Sequence, residues 1–187
     1  MNDFIFHNPD KVYFGKNQMG HLPEELLKFG NKVLLVYGGG SIKKNGLYDT
    51  VTELMKENGI EFFELAGVEP NPRHSTANKG AAICKKENVD VILAVGGGST
   101  IDCAKGVAAA ALTEDGDVWP LVSGGTWVMQ ALPVVAVLTN AATGSEMDAW
   151  AVISNMDTNE KTGLGGDALI PRVAFENPKY SYSLPVY

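Results

Sequence analysis

The residues best suited to chemistry gather around two glycine triplets, Gly38-Gly39-Gly40-Ser41 and Gly96-Gly97-Gly98-Ser99. Glycine lets a backbone turn sharply and approach a ligand with no Cβ in the way. A helix that starts just beyond such a turn presents unpaired N–H groups and the positive end of its dipole, which suits a phosphate. A third stretch, Thr139-Asn140 with Thr143-Gly144-Ser145-Glu146, offers hydroxyls and an amide for hydrogen bonding. The triplets match neither G-x-G-x-x-G nor a Walker loop. Taken alone, each is equally a tight strand-to-helix connection.

The surrounding elements decide between those readings. Lys32 to Tyr37 and Val89 to Val95 are nearly continuous apolar runs, the pattern of strands buried on both faces. Each enters a triplet directly. Ser99 is a favoured N-cap, and Thr100 to Leu112 is a strong helix former interrupted at Gly106. Helical spacing also marks Met19 to Phe29, Leu47 to Asn58 and Ser75 to Lys86. Ile60 to Leu65 and Pro133 to Leu138 read as strands, and Trp150 to Ser154, Lys161 to Leu164 and Val173 to Phe175 as shorter ones. Thr113 to Gln130 reads as a polar and aromatic connection. Phe4 to His7 and Lys11 to Phe14, around Asn8-Pro9-Asp10, suggest an N-terminal β-hairpin. Asn71 lies between Pro70 and Pro72, which predicts an extended backbone.

Strands alternating with helices predict an α/β fold with a doubly wound, mostly parallel sheet. Ligands of such sheets bind beyond the carboxyl ends of the strands. The loops at 38–41, 67–72, 96–99 and 139–146 each follow a strand and are expected to converge on one rim as a nucleotide site.

Composition narrows the function classes. The 187 residues are 45% hydrophobic and 20% charged, with a formal net charge of -7. Residues 1–187 are read as one dinucleotide-binding domain. The acidic balance and the lack of a basic stripe argue against a nucleic-acid partner. The longest charge-free apolar run, Ala131 to Leu138, is too short to cross a bilayer. No signal peptide is visible at the N-terminus, and Cys84 and Cys103 read as reduced thiols. The expected location is cytoplasmic.

As a set, the glycine triplets, Pro70-Asn71-Pro72, Gly96-Gly97-Gly98-Ser99 with Asp102, and Thr139 with Thr143-Gly144-Ser145-Glu146 resemble the iron-containing alcohol dehydrogenases. The branch with the greatest resemblance is that of the NADPH-dependent butanol dehydrogenases and aldehyde reductases. The resemblance implies a Rossmann-like domain in which Gly97, Gly98 and Ser99 bind the pyrophosphate and Asp102 lines the same pocket. It implies that Asn71, Thr139, Thr143 and Ser145 contact the ribose and nicotinamide side, with Asn140 also among the cofactor-binding residues. Lys161 matches a lysine that points toward the reaction centre, although its position alone reads as a solvated strand lysine.

The resemblance further implies that NAD-preferring relatives carry an aspartate where this chain has Gly38. A carboxylate there accepts from the ribose hydroxyls and repels a 2′-phosphate. With Gly38, Gly39, Gly40 and Ser41 in place, and Lys43 and Lys44 nearby, NADP(H) is expected over NAD(H). The implied reaction is hydride transfer between a primary alcohol or aldehyde and the nicotinamide, assisted by a divalent metal (iron or zinc). In the family one Asp and three His from a helical domain hold that metal. The domain follows the Ser-Leu-Pro turn at which this chain ends, so the chain is expected to hold no metal site and to turn over little alcohol alone. A homodimer through the N-terminal hairpin is also expected. Glycerol dehydrogenase-like and dehydroquinate synthase-like enzymes, or a non-catalytic nucleotide-binding module, are the rival readings.

Overall fold

The computed structural model describes residues 8–182. In chain order the elements are β1 (Lys11–Phe14), α1 (Leu22–Leu27), β2 (Lys32–Tyr37), α2 (Ser41–Lys44), α3 (Leu47–Glu57), β3 (Glu61–Leu65), α4 (His74–Glu87), β4 (Val91–Gly96), α5 (Gly98–Ala110), α6 (Trp119–Ser123), β5 (Val134–Leu138), β6 (Trp150–Asn155), β7 (Glu160–Gly165) and β8 (Val173–Glu176). Six strands form one wholly parallel sheet in the order β1-β8-β5-β4-β2-β3. Strands β6 and β7 form a separate antiparallel pair.

The two-sided burial predicted for the central strands is observed. Leu34, Val36, Ile92, Ala94 and Ala136 pack toward α4 and α5, and Val33, Leu35, Val91, Leu93 and Val135 belong to the core shared with α1 and α3. Two glycines let the helices of the first layer close up. A Cβ on Gly80 would lie 2.5 Å from Val107 Cγ2, and one on Gly106 would press Ile153 and Ala77 at 3.2 and 3.3 Å. The helix interruption read at Gly106 is thus a point of close packing and not a break.

Several boundaries differ from expectation. Met19–His21 is a 3-10 turn and α1 begins only at Leu22, with Pro23 in its first turn, where a missing N–H costs nothing. Residues 113–130 contain α6, which opens on Trp119-Pro120. The first hairpin segment, Phe4 to His7, lies outside the described residues, and β1 joins the sheet edge parallel to β8. Cys84 and Cys103 are free and buried, and burial pushes both thiols up to about 12.

Edge strand β1 is tied to α1 by a buried carboxylate. Glu25 accepts from Lys11 Nζ and Tyr13 Oη, each at 2.6 Å, and from Lys28 Nζ at 2.8 Å. Burial alone would raise its pKa, but these donors prevail and hold it at about 2, against an ordinary 4.5. The folded value lies below the unfolded one, so the stabilisation is complete above pH 4.5 and fades as pH falls toward 2. Glu25→Gln should therefore cost about 2–3 kcal/mol at neutral pH. Urea unfolding of both proteins across the acid range should show that difference shrinking below about pH 4.5.

Candidate functional site

Strand order reverses between β2 and β4: β3 lies outside β2, whereas β5, β8 and β1 lie beyond β4. Loops leaving the two sides of such a point diverge and open a crevice. A cleft of about 640 Å³ occupies this position, lined by Gly39, by Gly67 to Pro70, by Gly97 to Thr100 and by Asn140, Ala142 and Thr143. All four loops expected to converge do so. A smaller apolar pocket of about 330 Å³ adjoins it through Asn140.

The turn out of β4 differs in detail from the sequence reading. Gly97, not Ser99, is the N-cap of α5, and its carbonyl accepts from the Thr100 and Ile101 N–H groups at 3.0 and 3.2 Å. Ser99 lies inside the first helical turn, where its Oγ accepts from the Asn71 N–H at 3.2 Å. A glycine cap brings no side-chain acceptor, so the first N–H groups of α5 stay open to an anion. The glycines divide into two kinds. A Cβ on Gly96 would lie 2.4 Å from Thr100 Oγ1, and one on Gly98 would lie 2.9 Å from Thr143 Oγ1. Gly97 has only Asn140 Cβ at 3.8 Å, and Gly39 has nothing within 4 Å. Packing demands the first pair, whereas the second pair keeps the cleft floor clear.

The other triplet behaves differently. Gly40 adopts φ 103° and leads into α2, a single turn holding Ser41 and ending before Asn45-Gly46. Gly38 stands at the end of β2, where an added Cβ would meet Val68 O at 3.5 Å and Thr100 Oγ1 at 3.8 Å, ordinary contacts. Its backbone is not left-handed, so the fold does not require glycine there.

Asn71 corrects an expectation. Instead of being extended between its prolines it takes φ 58°, a region open to asparagine but avoided by most residues. Its N–H on Ser99 and its Oδ1, which accepts from Lys161 Nζ at 2.7 Å, hold it there. Lys161 reaches this contact from β7, opposite Ser154 in the β6–β7 pair, and Ser154 N–H donates to Pro72 O at 2.8 Å. Thr139 stands at the end of β5, its N–H bonded to Gly96 O at 2.9 Å. Asp102 and Ser145 sit behind the cleft wall instead of on it. Ser145 is buried and donates to Asp102 Oδ1 at 2.6 Å, while Val152 N–H donates to Oδ2 at 3.0 Å. Burial raises the Asp102 carboxyl above its ordinary value, opposed by these two donors and by the Lys105 charge.

Lys105 escaped the sequence reading. Its side chain is wholly buried, and Nζ donates to Asp148 O, Asp148 Oδ1 and Trp150 O at 2.8, 2.9 and 2.7 Å. The available signal was a lone cation among the alanines of α5, one turn beyond Asp102.

No three His, Cys, Asp or Glu side chains meet as a metal site among the described residues. His21 stacks on Tyr13, and His74 leans against Trp119.

The family model described as "Iron-containing alcohol dehydrogenase" matches residues 9–178. The chain belongs to that family. It is 51% identical over 185 residues to NADH-dependent butanol dehydrogenase A of Clostridium acetobutylicum, covering 99% of this chain and 47% of the relative. It is 40% identical to the NADPH-dependent aldehyde reductase YqhD of Escherichia coli, covering 99% of this chain and 48% of that one. The crystal structure of NADH-dependent butanol dehydrogenase A from Thermotoga maritima superposes with a TM-score of 0.92 at 47% identity, over 99% of this chain and 46% of that chain. The chain thus spans about half the length of the relatives it matches.

Gly96→Ala should lower stability by about 1–3 kcal/mol, because Thr100 has to move. Gly97→Ala should stay within about 0.5 kcal/mol of the parent. Parallel denaturant titrations compare the two.

Proposed function

We propose that this chain forms the cofactor-binding half of an NADP(H)-dependent alcohol dehydrogenase that interconverts an aldehyde and a primary alcohol. The observation that carries the reading is the meeting of four strand-end loops at the switch point, above the open N-terminus of a thirteen-residue helix. Gly97, Gly98 and Ser99 would take the pyrophosphate on backbone N–H groups, Asn140 would close the opposite wall, and Thr143 would meet the nicotinamide side. Lys161 and Asn71 would meet the nicotinamide ribose, where an exposed ammonium can hold a hydroxyl or follow the charge that changes during hydride transfer. When bound, the family's metal would polarise the carbonyl. The proposal extends to the activity of the chain alone, which should bind dinucleotide with little or no turnover.

The preference for the 2′-phosphorylated cofactor rests on Gly38. A Cβ there would make only ordinary contacts, at 3.5 Å to Val68 O and 3.8 Å to Thr100 Oγ1, and this chain places no carboxylate at that position. Relatives carry names of both kinds, NADH-dependent at 51% identity and NADPH-dependent at 40%, so the local geometry supports the choice and overall likeness does not. A carboxylate beside a 2′-phosphate would repel it by about 1–4 kcal/mol at surface-like dielectrics, and 1.4 kcal/mol is tenfold in Kd. Calorimetric titration should give a lower Kd for NADPH than for NADH, and Gly38→Asp should reverse the order without unfolding the chain. A parent that binds NADH more tightly would refute the preference, and one that binds neither would refute the cofactor site.

A further inference from the structure

Asp102 and Lys105 lie one turn apart on α5, and together they grip a segment well removed in sequence. Asp102 holds Ser145 and Val152; Lys105 holds Asp148 and Trp150. Every anchored residue falls between the turn that carries Thr143 and the first half of β6. On one side, Thr143 stands directly over Gly98 at the start of the same helix. On the other, β6 pairs with the strand that carries Lys161.

The ammonium of Lys105 spends all three protons inside the protein, two of them on backbone carbonyls. Burial pulls its pKa below the ordinary lysine value, and the Asp148 carboxylate opposes that pull. A buried cation is a poor source of net stability, since desolvation offsets much of its attraction to a partner. What three directed bonds provide instead is a fixed position. Asp148 is partly exposed, so water can take over its carboxylate if the lysine is lost.

We propose that Lys105 is a positioning residue: it sets the 143–152 segment against α5, and so places Thr143 and the Lys161-bearing hairpin over the nicotinamide half of the cofactor. This rests on the cofactor site proposed above, and it names a residue that touches neither cofactor nor substrate.

The test compares NADPH with ADP, which keeps the diphosphate and lacks the nicotinamide half. In the full chain, Lys105→Met preserves side-chain length and should leave the cooperative unfolding transition intact. NADPH binding should weaken by about tenfold, a difference of 1.4 kcal/mol, while ADP binding stays within twofold, a small change on the same scale. Without ligand, amide hydrogen exchange should quicken across 143–152 and stay unchanged in β2 and β4. In a Thr143→Ala background the effect of Lys105→Met on NADPH should shrink, because one acts through the other. Should Lys105→Met fail to fold, Asp148→Ala, which removes one of the three bonds from a partly exposed partner, must show the same split at smaller size. Equal losses for NADPH and ADP would reduce the role to general structure and overturn the proposal. Unchanged NADPH binding in a folded Lys105→Met, or no split in Asp148→Ala, would overturn it as well, with the cofactor site left standing. If the parent chain binds neither ligand, the cofactor site falls, and the proposal falls with it.

Discussion

Everything at the carboxyl rim depends on how β4 becomes α5. A parallel strand buried on both faces must deliver its chain to a covering helix. Here it does so within a single residue, with Gly96 ending the strand and Gly98 starting the helix. The steric condition is severe, because Thr100 folds back beneath Gly96 where a Cβ has no room. In return, the helix axis starts at the sheet edge and its unpaired N–H groups face the crevice. A longer connection would move that positive end away from the switch point, and the other three loops would then surround nothing.

The same helix organises the layer behind the cleft. Gly80 and Gly106 let α4 and α5 approach closely, and Ile153 of β6 packs where the Gly106 side chain would be. This brings the antiparallel pair against α5 although it shares no ladder with the main sheet. Asp102 and Lys105 complete the attachment with directed bonds. The apolar contacts bring the two layers together, and the buried polar pair sets their alignment.

Much of this was legible in the chain. The runs at 32–37, 89–95 and 133–138 announce strands because they are nearly continuously apolar with no alternation, and the glycine-bearing turns beyond them announce the rim. The failures have physical causes. Ser99 has the chemistry of a cap, but the turn is so tight that Gly97 takes that place and frees the hydroxyl for Asn71. Flanking prolines argue for an extended Asn71, yet two tertiary bonds and the tolerance of asparagine for positive φ prevail. Ser145 was read as facing a ligand, whereas its proton goes to Asp102 behind the wall. Strand order is written in no local pattern, so the location of the switch point had to come from the structure. Lys161 was singled out through family resemblance alone, and its contact with Asn71 joins residues ninety positions apart in the chain.

The ordinary contacts that a Cβ at Gly38 would make separate two properties that could have been entangled. The tight glycines, Gly96 and Gly98, hold the architecture, while Gly38 belongs to no packing constraint. A substitution at Gly38 can therefore change what lines the rim without disturbing the β4–α5 turn that the rim is built on.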